Sequence, residues 1–305
     1  MYQSIPVSIP LAIALGMIAG GLSMRIFIFQ HDCGHGSFFK SQRANNFTGW
    51  FCSLITLVPY FYWRKQHALH HATNGNLDKR GYGDMTTYTV KEYVSLPLIK
   101  RILYRIYRNP FMFLIFGPLL LFLFNNRLVH DKKHTTPSER WNVHFTNLAI
   151  LLVIGGIGWF IGYGEMVLIA GTMMWTATSA GIWLFYVQHQ FDDAYWRRNP
   201  EWKYKDAALQ GSTYFKLPRI LQWFTGNIGY HHIHHLQVSI PNYNLQKVFE
   251  SHPEFHDVHT ITIRSSFKMM FLSLWDEEQR KLVSFREGLK RELSRSGAGL
   301  IGENG

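Results

Sequence analysis

The stretch WNVHFTNLAILLVIGGIGWFIGYGEMVLIAGTMMWTATSAGIWLFYVQHQFDDAYW, residues 141–196, contains no lysine or arginine, although the 305-residue chain carries 31 of them. Within it lie two apolar runs, from about Thr146 to Ile161 and from about Met166 to Val187, joined by Gly162, Tyr163, Gly164 and Glu165. A helix needs about 20 apolar residues to cross a hydrocarbon core of roughly 30 Å. The pair therefore reads as a tight hairpin of spanning helices. Outward from it, basic residues are absent again before Arg25, where Pro6 to Phe29 supplies a third span and Arg25 near its end is placed to snorkel to the interface. Such segregation of charge is hard to obtain in a soluble fold. The positive-inside rule puts the Lys/Arg-rich stretches 40–109, 127–140 and 197–305 in the cytoplasm, with the N-terminus and the 162–165 turn outside.

Composition agrees with a divided molecule. The chain is 47% hydrophobic, 16% aromatic and 17% charged, which excludes disorder. A mean hydropathy of −0.08 is too low for a protein wholly inside a bilayer, so a sizeable aqueous part is expected. Cys33 and Cys52 are too few for a disulfide framework or a CxxC metal knuckle. The net charge of +11 would suit nucleic acid, but its separation from the apolar runs points to a membrane surface. Pro6–Phe29 lacks the basic leader of a signal peptide. Two shorter runs, 47–63 and 110–124, are flanked by basic residues on both sides and are expected to lie in the interface; the alternative is that both span. No repeat or low-complexity tract is found. Ser265 to Leu293 has helical spacing on a mixed surface, and Gly297 to Gly305 reads as a loose tail.

Sixteen histidines are the anomaly, and eight of them form three clusters beside the basic stretches. HDCGH supplies His31 and His35, HALHH supplies His67, His70 and His71, and HHIHH repeats the HxxHH spacing with His231, His234 and His235. Residues i, i+3 and i+4 share a helix face, so HxxHH is expected to aim three imidazoles at a common centre. One such pair would be ordinary surface chemistry. Eight neutral imidazoles from separate segments call for a metal, and more ligands than one four-coordinate ion takes imply two ions. The ExxH pairs of soluble di-iron carboxylate bundles and the HExxH of zinc proteases are absent.

These residues carry a resemblance. HDCGHGSFF (31–39), HALHHATNGNLDKRGYGD (67–84), QHQFDDAYW (188–196) and TGNIGYHHIHHLQVSIPNYNL (225–245) resemble the integral-membrane fatty acid desaturases, most closely the bacterial acyl-lipid delta-12 (omega-6) type, over roughly residues 24–287. The resemblance implies an all-α integral membrane protein: one domain over 1–305, about three spanning helices (6–29, 146–161, 166–187), interfacial helices, and a cytoplasmic helical cap at 197–295 that holds a histidine-rich di-metal site. It implies a non-haem di-iron centre using dioxygen and two electrons to desaturate a fatty acyl lipid, with His31, His35, His67, His70, His71, His231, His234 and His235 as ligands. A ninth ligand is implied between the hairpin and the third box, where His189 stands; His232 is left out. Relatives commonly carry a further leading helix, so the N-terminus is expected to be truncated.

All boxes must share one membrane face, which forbids a single crossing between His35 and His67. Asp32, Asp84, Asp192 and Asn227, together with Asp78 and Asp193, are candidates to orient imidazoles from outside the ligand set. Gly34 is expected to allow close approach to metal or substrate. Trp63, Trp175, Trp183 and Trp223 either line an acyl channel or anchor the interface. Neither a GxGxxG fingerprint nor HPGG is present, so electrons are expected from an external ferredoxin or cytochrome b5-like partner. A bacterial inner membrane, cytoplasmic histidines and no nucleic-acid partner complete this reading. Its rivals are a histidine-box alkane or carotenoid hydroxylase or ketolase, and a non-catalytic membrane protein that handles metal.

Overall fold

The computed structural model describes residues 1–82 and 85–295; the tail expected at 297–305 lies outside them. Three helices are long and apolar enough to cross a membrane: α1 (Ile9–His35), α7 (Pro137–Ile161) and α8 (Tyr163–His189). Between and after them run α2 (Gln42–Thr56), α3 (Tyr60–Thr73), α4 (Val90–Ser95), α5 (Leu98–Tyr107), α6 (Gly117–Leu123), α9 (Tyr204–Gln210), α10 (Arg219–Phe224), α11 (His231–Leu236), α12 (Asn242–Ser251), α13 (Ile263–Met269) and α14 (Phe285–Arg295).

Each long helix extends past its apolar window, because hydropathy reports membrane thickness whereas a helix continues as long as its backbone bonds do. Thus α1 carries His31 and His35, α8 carries His189, and α7 begins at a Thr136–Glu139 capping box with Pro137 in its first turn. The hairpin turn is narrower than the four residues expected: Gly162, at φ 95°, alone separates α7 from α8. The ends of α1 and α8 meet because their backbones approach closely along their length. A Cβ on Gly20 would stand 2.8 Å from the Met173 carbonyl and 2.7 Å from the Thr176 Cβ. Small residues at such a crossing are how helices pack without a hydrophobic drive between them. Arg25 does more than snorkel: its guanidinium lies 4.3 Å from the Trp223 ring and donates to the Trp223 carbonyl.

The run 47–63 is not one helix. Leu57 takes a left-handed conformation (φ 59°) and Pro59 starts the next element, so the chain turns between α2 and α3. Polar groups of α1 secure the break, Gln30 Nε2 donating to the Val58 carbonyl at 3.1 Å. The run 110–124 is helical with a π turn at Met112–Phe116, and it meets α5 at a 67° bend. Pro118 cannot donate to the Leu114 carbonyl, which accepts from Ser179 Oγ on α8 instead (3.1 Å).

The cap is not wholly helical. Strands β1 (Tyr88–Thr89), β4 (Leu274–Asp276) and β5 (Lys281–Val283) form a small sheet in which β1 and β4 are parallel and β4 and β5 antiparallel. β2 (Tyr214–Lys216) and β3 (Thr260–Thr262) pair in parallel. Both sheets join segments far apart in sequence, closing the cap over the histidine-bearing helix ends. Arg108 latches it. Buried to 2% exposure, its guanidinium donates to Tyr186 Oη, Gln190 Oε1 and the Leu272 carbonyl at 2.8–3.0 Å. No carboxylate pairs with it among the described residues, so a fork of neutral acceptors stabilises the cation.

Candidate metal centre

α1 and α8 deliver His31, His35 and His189 to a common site, to which α3 adds His67, His70 and His71 and α11 adds His231, His234 and His235. The imidazoles fall into two groups. His31, His35, His67, His71 and His234 have their donor nitrogens within 4.8 Å of one another, and so do His70, His189 and His235. His231 joins the second group, its Nε2 standing 2.9 Å from His189 Nε2 and 3.2 Å from His235 Nε2.

The HxxHH motif therefore does not aim three rings at one centre, as its spacing suggested. In α3, His67 and His71 serve the first group and His70 the second; in α11, His231 and His235 serve the second and His234 the first. The reason is angular. Position i+4 lies about 40° around the helix from i, whereas i+3 lies about 60° the other way. Residues i and i+4 thus share a target and i+3 addresses its neighbour.

The donors fit metal. Nε2 atoms face one another at 3.1 Å between His67 and His71 and between His71 and His234. His35 Nε2, both ring nitrogens of His70, His71 Nδ1 and His231 Nδ1 are buried with no hydrogen-bond partner. Buried imidazoles left this way are costly unless a cation takes their lone pairs. Burial first, and neighbouring imidazoles second, hold His67, His70, His71, His231, His234 and His235 well below the ordinary histidine range. They are neutral, the form in which histidine binds metal.

Two of the rings are turned by partners that can only accept. Asp32 Oδ1 takes the Nδ1–H of His31 at 3.0 Å, and the Gly211 carbonyl takes that of His189 at 2.9 Å, leaving each Nε2 lone pair free. The other oxygen of Asp32 accepts from the backbone and side-chain N–H groups of Asn242, at 2.6 and 2.8 Å, at the start of α12. Trp63 stacks on His67 with centroids 4.7 Å apart, while Phe185 packs 5.0 Å from His70 and 5.3 Å from His189. A small cavity beside His189 is lined further by Met85, Trp196 and Gln190.

The remaining candidates lie elsewhere. Asp192 is exposed and uses its backbone carbonyl to accept from Leu282 N–H. Asp78 pairs with Arg198 at 2.9 Å and Asp193 with His259 at 2.8 Å. Asn227, at φ 58°, gives its amide to the Asn242 carbonyl, a turn role. Asp84 lies outside the described residues. Gly34 makes room for the Trp63 ring, which a Cβ there would meet at 3.1 Å. His232 sits apart, its ring centroid 6.0–6.5 Å from those of Tyr214, Phe249 and Phe255, and burial lowers it to about 4. Sequence reasoning missed Asn242, the Gly211 carbonyl and the Arg108–Gln190 latch. Only the first had a local signal, Pro241 opening a helix at Asn242.

A family model described as fatty acid desaturase matches residues 7–267. A protein named fatty acid desaturase from Bacillus subtilis (strain 168) is 45% identical over 285 residues, covering 93% of this chain and 80% of the relative. An sn-1 acyl-lipid omega-3 desaturase (ferredoxin) from Nostoc sp. is 28% identical over 252 residues, 77% of this chain and 65% of the relative. An sn-1 oleoyl-lipid 12-desaturase from Synechocystis sp. is 27% identical over 225 residues, 72% of this chain and 62% of the relative.

Proposed function

This chain belongs to the fatty acid desaturase family of oxidoreductases that introduce double bonds, and from that premise we propose that it is a membrane-bound acyl-lipid desaturase that uses a non-haem di-iron centre to place a cis double bond of the delta-12 type. The observation that carries this reading is the division of nine histidines, seven of them buried and His35 and His67 partly so, into two adjacent groups at the ends of membrane-length helices. His31, His35, His67, His71 and His234 would hold one iron, and His70, His189, His231 and His235 the other. Two irons there would supply dioxygen activation, chemistry that no side chain of the site offers alone.

The chain itself contributes orientation and dryness. Asp32 and Gly211 fix ring tautomers, the Arg108 latch holds the end of α8 against the cap, and Phe185, Met85 and Trp196 exclude water beside the second group. The substrate is an acyl chain from the bilayer, laid with one methylene pair against the two groups, so that its depth sets the bond position. Breaking two C–H bonds yields two electrons, an external donor supplies two more, and with two further protons they reduce one O2 to two waters. A ferredoxin, such as the name of the Nostoc relative records, or a cytochrome b5-like protein is the donor. The basic stretches support a cytoplasmic position for the histidine end, in a bacterial inner membrane.

The test is gas chromatography with mass spectrometry of membrane fatty acids from a host expressing the chain beside a His70→Ala/His71→Ala variant. A new delta-12 diene that vanishes in the variant is expected. A hydroxylated product would overturn desaturation in favour of the hydroxylase alternative. An unchanged profile from iron-loaded protein supplied with a reduced donor would overturn the reading altogether.

A further inference from the structure

The loop that enters α7 frames an open groove of about 240 Å³ lined by Val129, Lys132, Pro137, Arg140, Trp141 and His144. Two of these residues are cations and none is an acid. The nearby carboxylates are engaged elsewhere: Glu139 accepts from the Thr136 backbone and hydroxyl, and Asp131 from Gln66 and His134. Arg140 enters no ion pair among the described residues. Its Nη1 donates to the carbonyls of Lys132 and Thr135, at 3.1 and 2.7 Å, which fixes the guanidinium at the rim with its other N–H groups to spare.

Below the cations the surface changes character. Trp141, Phe145, Leu148 and Leu152 follow at positions i, i+4, i+7 and i+11 of α7, one stripe of the helix, and all are more than half exposed. A cationic groove at the mouth of a membrane-length helix, continued by an apolar stripe along it, matches an amphiphile with an anionic head. We propose that this groove binds an anionic phospholipid, its phosphate held by Lys132 and Arg140 and its acyl chains lying along Trp141, Phe145, Leu148 and Leu152.

The same loop is tied to the helix of the second histidine box. The backbone N–H groups of His130 and Asp131 donate to Tyr62 Oη at 2.9 and 2.8 Å, and Gln66, next to His67, donates to Asp131. A lipid seated in the groove therefore stiffens the support of α3. The site rests only on the membrane placement of α7 and holds whatever the histidines catalyse.

The test uses the full-length purified protein in three lipid settings: vesicles of phosphatidylcholine alone, vesicles with added phosphatidylglycerol, and phosphatidylcholine vesicles with millimolar inorganic phosphate. Native mass spectrometry reads retained lipid and thermal unfolding reads stabilisation. The expected result is selective retention of phosphatidylglycerol and a higher Tm in its presence, with Lys132→Gln weakening binding about fivefold and Lys132→Gln/Arg140→Gln about thirtyfold. Equal retention of both lipids, or a double variant that behaves as wild type, would overturn the proposal. So would the same stabilisation by inorganic phosphate, which would make the groove a free-phosphate site. Should the double variant fail to fold, Lys132→Glu, at an exposed side chain, decides through the same readouts.

Discussion

The two histidine groups are built from the same motif in opposite registers, yet they are held differently. The first gathers five imidazoles from α1, α3 and α11, and its His31 leans on a carboxylate, Asp32, that is itself anchored by the start of α12. The second gathers four from α3, α8 and α11, and its His189 leans on a neutral backbone carbonyl against an apolar wall. One has a donor to spare and a charge behind it; the other has neither. Tolerance to damage should therefore differ between two sites that share their helices.

The largest effect expected follows from the donor count. His189→Ala leaves the second group three imidazoles and should remove about half of the bound metal and at least 100-fold of the activity. His35→Ala leaves the first group four and should retain more metal than the His189 variant. Metal per chain by plasma mass spectrometry, beside product analysis, checks both; equal metal loss in the two variants would erase the asymmetry. Asp32→Ala comes next. It removes the acceptor of His31 and strands the N–H groups of Asn242, so metal affinity at the first group should fall about 10–100-fold while the second keeps its metal. Stepwise chelation, read as one loosened and one unchanged fraction, distinguishes this from general unfolding.

A smaller effect concerns the metal-free protein. The folded imidazoles of α3 and α11 sit well below the ordinary histidine range, whereas in the unfolded chain they take up protons from about pH 6.5 downward. The unfolded state then binds more protons, so stability is present above that value and is lost as pH falls below it. The Tm of chelated protein should be flat above about pH 7 and drop towards pH 5. His234→Asn and His235→Asn, one from each group, should flatten the drop similarly, because this cost depends on burial and not on which group a ring serves. A steeper slope retained by one variant would show that the groups differ in dryness as well as in donor count.

What could be read from sequence followed from local spacing. The hairpin was visible because 56 residues without a basic side chain are conspicuous in a chain of net charge +11. Eight of the nine ring positions were visible because i, i+3 and i+4 spacings recur; His189 stands alone in the sequence and was implied only by the resemblance. Their division into two groups was not, since it depends on an angular difference that a shared-face argument ignores. The break at Leu57 had a signal in Pro59, a proline inside an apolar run that should end a helix. By contrast Asp32 and Asn242 stand 210 positions apart, and nothing local connects Arg108 to Gln190 or Gly211 to His189. The cap strands are only two or three residues long, too short to show alternation, and they form because distant segments pair.

The smallest effect tests the support of the second group. Tyr204 Oη donates to the backbone carbonyl of His235 at 2.7 Å, the counterpart on α11 of the carbonyl support given to His189. Tyr204→Phe keeps the ring and deletes that bond. The bond is partly buried, Tyr204 being 42% exposed and His235 1%, so the loss should lie between the typical net value and that of a buried orphan, about 1–2 kcal/mol. A Tm lower by a few degrees with metal content unchanged is expected. If the substitution instead removed metal from the second group alone, then backbone position, and not the number of imidazoles, would be what makes that group the weaker of the two.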